Sequence, residues 1–131
     1  MRLLAVQGDR YTVEIKPSHI DWGEYRNPTN RTLIEGESYV KIPSKYAREF
    51  DIKRGDKFWA YFGNVEYESM EIKASGNGPC VNGVQYAKQF EGIGKGACKA
   101  FTPWYQLCGA NVGDIIQVEF ISPTEVMFTK L

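Results

Sequence analysis

The sequence predicts a mostly-β domain, an open barrel with two short helices, and three features carry that prediction. Apolar residues recur with period two along most of the chain, so strands rather than helices dominate. Two proline-marked stretches, at Pro43 and Pro103, are followed by only a few helix-compatible residues each. A unit of short helix, Gly-Asp turn and strand occurs twice, and two such units can close a pseudo-two-fold barrel without exposed edges.

The elements follow in order. Residues 11–15 alternate and are rich in β-branched side chains, which reads as a strand ended by Pro17. A polar segment, IDWGEYRNPTNR over 20–31, reads as loop and leads to a second strand over 39–42. Pro43 and Ser44 open a short helix over 45–50, and Gly55-Asp56 marks a turn. In the strand that follows, Phe58, Ala60 and Phe62 point one way and Trp59 and Tyr61 the other. A further strand is expected over 67–73, then a turn-rich loop over 74–83 (ASGNGPCVNG). Weaker strand patterns cover 84–90 and 97–101, and Pro103 begins the second helix. A closing hairpin pairs 115–120 with 125–129 across Ser122-Pro123.

The duplication is visible in the residues themselves. IPSKY at 42–46 with GDKFWAYF at 55–62 is echoed by TPWY at 102–105 with GDIIQVEF at 113–120. After each Gly-Asp the buried phase matches: Phe58 with Ile116, Ala60 with Val118, Phe62 with Phe120. Matching the prolines leaves the copies out of step, because Pro43 to Gly55 is two residues longer than Pro103 to Gly113.

Composition bounds the function. A chain of 131 residues with a 43% hydrophobic fraction makes one domain, residues 1–131, with a packed core. Lys+Arg and Asp+Glu are 16 each, which argues against a binder held to nucleic acid by net charge alone but permits cations gathered on one face. Cys80, Cys98 and Cys108 form no CxxC pair and His19 is the single histidine, so neither a zinc site nor another cofactor is expected. The apolar run over 3–6 is too short for a signal peptide or a membrane span, and the odd thiol count fits a reducing, cytoplasmic compartment.

Two segments suit base and phosphate recognition. Arg, Asn and Gln present fork-shaped or paired donors and acceptors that match base edges in the DNA major groove, and the 20–31 segment is rich in them. Residues 73–100 hold Lys73, Lys88, Lys95 and Lys99 against the single acid Glu91, with Ser75, Asn77, Asn82, Gln85 and Gln89 among them. The ordinary reading of both is a solvated surface, with Trp22 as a hydrophobic plug in the first.

The unit YVKIPSKYAREFDIKRGDKFWAY over 39–61 resembles the swapped-hairpin transition-state regulators and the plant-type DNA-binding pseudobarrels of the auxin-response-factor kind. The tail FTPWYQLCGANVGDIIQVEF over 101–120 is similar to the closing helix and strand of the plant domains. The IDWGEYRNPTNR segment with ESYVKIP over 37–43 further resembles the B-three-like C-terminal recognition domain of NgoFVII/BfiI-type restriction endonucleases, and more distantly the effector domain of EcoRII. Together these resemblances cover residues 18–131. They imply a DNA-binding pseudobarrel that grips double-stranded DNA in the major groove with two arms, and a nuclease domain or subunit elsewhere in the parent enzyme. The first arm would be residues 18–31, with Asp21, Trp22, Arg26, Asn27, Asn30 and Arg31. There Arg26 and Arg31 would fork onto guanine, Asn27 and Asn30 meet adenine or phosphate, and Asp21 accept from cytosine. The second arm would lie within 73–100 and use Lys73, Ser75, Asn77, Asn82, Gln85 and Lys88. No membrane and no small-molecule substrate are implied.

Other classes fit the residues less well. Glu71-Ile72-Lys73 with Asp56 upstream is a minimal metal-nuclease pattern, but the same Gly-Asp recurs at Asp114 with no such triplet, so a turn role explains both aspartates. The glycine run over 92–96 lacks a phosphate-loop register and a following helix. Cys98 or Cys108 as nucleophile lacks a nearby base, since the sole histidine is remote in sequence. A barrel that binds protein or a small ligand through Trp22, Trp59 and Trp104 is the alternative of a different kind.

Overall fold

A computed structural model describes residues 8–16, 39–94 and 100–131. Its elements are β1 (Arg10–Glu14), β2 (Val40–Lys41), α1 (Ser44–Glu49), β3 (Lys57–Phe62), β4 (Met70–Ser75), β5 (Cys80–Val81), β6 (Val84–Gln85), β7 (Gln89–Gly92), α2 (Thr102–Leu107), β8 (Ile115–Ser122) and β9 (Glu125–Lys130). Seven strands form one sheet in the order β1-β8-β9-β3-β4-β7-β2. The sheet curls into a nearly closed, barrel-like form, as the sequence predicts. Between its two edge strands the Tyr11 hydroxyl on β1 donates to the Lys41 carbonyl on β2 at 2.8 Å.

The period-two pattern is realised as alternation across that curved sheet. Phe58 and Ala60 on β3, Ile72 and Ala74 on β4, Phe90 on β7, Ile116, Val118 and Phe120 on β8, and Val126 and Phe128 on β9 are buried. Aromatic rings fill the centre edge to face: Phe58 meets Phe90 at 5.5 Å and Phe120 at 5.9 Å, and Phe101 meets Phe128 at 5.2 Å. Such pairs add about 0.5–1.5 kcal/mol each beyond their area. Both helices pack on the core: Ala47 of α1 and Trp104 and Tyr105 of α2 are buried, and Trp104 is tied to the Gly63 carbonyl by its indole N–H at 3.0 Å.

The repeat is real, and its register differs from the one the prolines suggest. Ser44 opens α1 and Thr102 opens α2, while Gly55 and Gly113 share φ values of 96° and 97°, so one offset of 58 residues relates the copies throughout. Pro43 therefore corresponds to Phe101, not to Pro103, which sits inside the first turn of α2. The aspartates behave alike: Asp56 accepts the Lys53 amide at 3.0 Å, and Asp114 accepts the Asn111 amide at 2.8 Å. The strand beside each turn also corresponds. Gly55 donates to Ala74 and Ala74 to Asp56, just as Gly113 donates to Ile15 and Ile15 to Asp114. Thus β4 in one half is matched by β1 in the other, and the parallel pair β3–β9 joins the halves.

Several local expectations are corrected. The strand predicted over 67–73 begins at Met70, because Val65 and Tyr67 turn in to cover the core from the preceding loop. The loop predicted over 74–83 contains β5, and the single strand predicted over 84–90 is two, β6 and β7. They are separated at Ala87, whose amide donates to the Ile52 carbonyl at 3.0 Å. Most of the strand predicted over 97–101 lies outside the described residues, and Phe101 is the N-cap of α2.

Candidate nucleic-acid interface

The pseudo-two-fold relation fixes where two arms attach. Residues 17–38 follow β1 and precede β2; residues 76–88 follow β4 and precede β7. Since β1 and β4 are equivalent strands, and β2 and β7 pair antiparallel through Val40–Phe90 and Lys41–Gln89, the two connections are equivalent too. They enter the β2–β7 seam at opposite ends. The 17–38 connection arrives at Tyr39, beside the end of β7, and the 76–88 connection arrives at Lys88, beside the end of β2.

The first-arm candidates Asp21, Trp22, Arg26, Asn27, Asn30 and Arg31 all lie outside the described residues. Their re-entry point is described. Two buried phenols hold the two-residue β2 by its carbonyls, Tyr105 reaching Tyr39 at 2.8 Å and Tyr11 reaching Lys41 at 2.8 Å.

Within the segment expected to form the second arm, residues 80–85 make a hairpin. β5 pairs with β6 through Cys80–Gln85 and Val81–Val84, and the two-residue turn Asn82-Gly83 has φ values of 51° and 80°. Two successive residues in the left-handed region make the type I′ geometry that suits the twist of a hairpin. Asn82 and Gly83 stand exposed at its tip. The base is tied to the turn after α1: Arg54 donates its amide to the Gln85 carbonyl at 3.0 Å, and its guanidinium to Asn77 at 2.6 Å. Gln85 spends its amide nitrogen on the Gly78 and Tyr86 carbonyls, both at 2.9 Å, so it shapes the arm instead of facing outward. Asn77 is likewise engaged at its oxygen.

The remaining candidates face the seam. On the outer surface Ser75, Gln89 and Lys41 form one cross-strand row, and Lys57, Lys73 and Glu91 the next. Lys73 approaches Glu91 at 3.9 Å, while Gln89 donates to the other oxygen of Glu91 at 3.1 Å. Lys88 is exposed and lies close enough to Lys41 to act on its charge. Partial burial, and secondly the Lys88 ammonium, push the Lys41 pKa below the ordinary lysine value of 10.5. Among the described residues neither lysine has a carboxylate partner. Lys41 is the site residue that sequence reasoning misses. Its signal is present, a polar residue in the outward phase of the strand directly after the first arm, but it reads as ordinary strand alternation.

The metal-nuclease trio is not assembled. Asp56 precedes β3 in the phase opposite to Lys57, and its carboxylate is held in the turn by the Lys53 amide. Glu71 lies three residues back along β4 from Ala74, the partner of Asp56, or about 10 Å at strand spacing. Among the described residues no group of three His, Cys, Asp or Glu side chains is placed to hold a metal ion, and no helix is long and apolar enough to cross a membrane. Of the thiols, Cys80 is exposed on β5; Cys108 caps α2, half-buried, and burial raises its pKa, which disfavours the thiolate. Trp104 is fully buried, so of the tryptophans considered for a binding surface Trp59, 43% exposed, is the one the described structure displays. Comparison with family models, curated sequences and solved structures returned no match.

Proposed function

We propose that this chain is a sequence-specific recognition module for double-stranded DNA, reading the major groove with two arms and performing no catalysis itself. The observation that carries the reading is the Lys41–Lys88 pair. Lys41 on β2 and Lys88 just before β7 meet the seam where both proposed arms attach, near enough for the Lys88 charge to lower the Lys41 pKa, and among the described residues neither has an ion-pair carboxylate. Such a pair is a seat for an anion, and a phosphodiester backbone supplies anions in a row. In this reading Lys41, Lys88, Lys73 and Ser75 fix the register on the backbone, and Asn82 at the hairpin tip enters the groove opposite Arg26 and Arg31 of the first arm. Cleavage would belong to a nuclease domain or subunit of a parent restriction enzyme.

The test is selection from a randomised duplex pool, with Arg26→Ala/Arg31→Ala and Lys41→Ala/Lys88→Ala variants beside the unaltered chain. The unaltered chain enriches one short motif. The arginine variant loses the motif, and the lysine variant keeps it with weaker binding. The lysine variant should also lower the salt slope by about 1.8, at roughly 0.9 for each phosphate it no longer neutralises. Absence of any enriched motif at low salt would refute the reading.

A further inference from the structure

The β9–β3–β4 stretch of the barrel wall carries a second surface of opposite character. In the closed strand order β9 stands opposite the β2–β7 seam, β3 is beside β9, and β4 lies between β3 and β7. Between Phe58 and Ile72 the sequence holds Glu66, Glu68 and Glu71 and no Lys or Arg; between Asp114 and Thr129 it holds Glu119 and Glu125 and again no cation. These two stretches are acidic, with Lys57 and Lys130 standing only at the ends of β3 and β9.

At the centre of that wall Trp59 projects outward, with Glu125 its cross-strand partner on β9 and Glu71 its partner on β4. The carboxylates flank the indole at one strand spacing each, about 4.8 Å to either side at the backbone. Glu125 is held in place by two donors, the Tyr61 hydroxyl at 3.0 Å on one oxygen and the Ser122 hydroxyl at 3.0 Å on the other. Glu71 has no hydrogen-bond or ion-pair partner among the described residues. An exposed tryptophan with a carboxylate on either side is a seat for a cation: the ring face attracts it, and the acids neutralise it. The described cation over a ring is Lys45 on Tyr46 at 5.2 Å; among the described residues none stands over Trp59. Lys57 and Lys73, one row along the same strands, bound the seat on that side.

We infer that this wall docks a basic peptide segment of a partner protein, with an arginine or lysine seated over Trp59 between Glu71 and Glu125. Charge complementarity selects that occupant: a nucleic acid or an acidic peptide would be repelled. Because β3 and β9 lie inside the sheet, docking uses side chains and adds no strand. The seat is centred on β3, two strands from β7, which leaves the β2–β7 seam free for a second ligand.

Hexa-arginine and hexa-glutamate are the probes, titrated at low salt while the Trp59 indole N–H is followed by NMR and identified with Trp59→Phe. Hexa-arginine shifts that resonance; hexa-glutamate does not. Trp59→Ala, and separately Glu71→Gln/Glu125→Gln, weakens hexa-arginine binding at least tenfold, and Lys57→Gln strengthens it. All are surface changes, and Trp59→Ala leaves any duplex binding unaltered. A Trp59 resonance that hexa-arginine fails to move, or equal binding by the Glu71→Gln/Glu125→Gln variant, overturns the inference. Loss of duplex binding in Trp59→Ala overturns the separation of the two surfaces. The DNA reading stands or falls by duplex selection alone, so either proposal can fail without the other.

Discussion

At the scale of residues, two tyrosine hydroxyls hold the shortest strand of the sheet. Tyr11 and Tyr105 donate to the carbonyls of Lys41 and Tyr39, one residue on either side of Val40. A two-residue strand has too few ladder bonds to hold itself, so these phenols set where the first arm rejoins the barrel. Tyr11→Phe should cost about 1–2 kcal/mol in urea unfolding, the typical loss when a buried carbonyl is left without its donor. Local hydrogen exchange at Val40 and Lys41 should rise with it. Burial raises the pKa of both phenols above the ordinary 10.0. The native state therefore keeps protons that the unfolded chain releases, so this contribution is complete below pH 10 and is lost as pH climbs beyond it. Each phenol steepens that loss by at most about 1.4 kcal/mol per pH unit. Tyr105→Phe should accordingly flatten the alkaline limb of a stability–pH curve, measured by denaturant titration from about pH 9 to 11, either side of the ordinary tyrosine value.

At the scale of elements, the base of the β5–β6 hairpin is closely packed at Gly78. A Cβ on Gly78 would strike the Ala87 carbonyl, so the two legs of the arm pass each other at backbone distance there. Gly78→Ala should spread the base of the arm and break the Gln85–Gly78 bond, at a cost of about 2 kcal/mol. In duplex selection it should also weaken the motif, whereas Gln89→Ala, which leaves the hairpin closed, should keep it. The two Gly-Asp turns provide a comparison inside one molecule. Each aspartate accepts one amide three residues back, a bond of the kind that costs about 1 kcal/mol to lose. Asp56→Ala and Asp114→Ala should destabilise by similar amounts, read as the shift in urea midpoint at constant slope.

At the scale of the whole molecule, much of the fold was legible and less of the site. Strand phases were readable because inward residues are apolar and most outward ones polar or amphipathic, as Phe58, Trp59 and Ala60 illustrate on β3. The repeat was readable from its Gly-Asp turns, since φ near 96° is a demand on the residue itself. Its register was not, because proline is accepted both before a helix and inside its first turn, and the sequence does not say which. The hairpin was obscured by glycine and asparagine, which mark turns without saying whether short strands flank them. Lys73, Ser75 and Lys88 were proposed from the local excess of cations and polar residues; Lys41 was not, because the residue whose charge acts on it, Lys88, is far along the chain. Alternation, turn chemistry and charge totals are properties of neighbours in sequence, so the sequence by itself determined a duplicated, mostly-β barrel with two short helices and no net charge. Which residues share a surface depends on strand pairing across dozens of residues. Strand pairing alone brings Lys41 and Lys88 to one seam and sets Glu71 and Glu125 on the strands either side of Trp59.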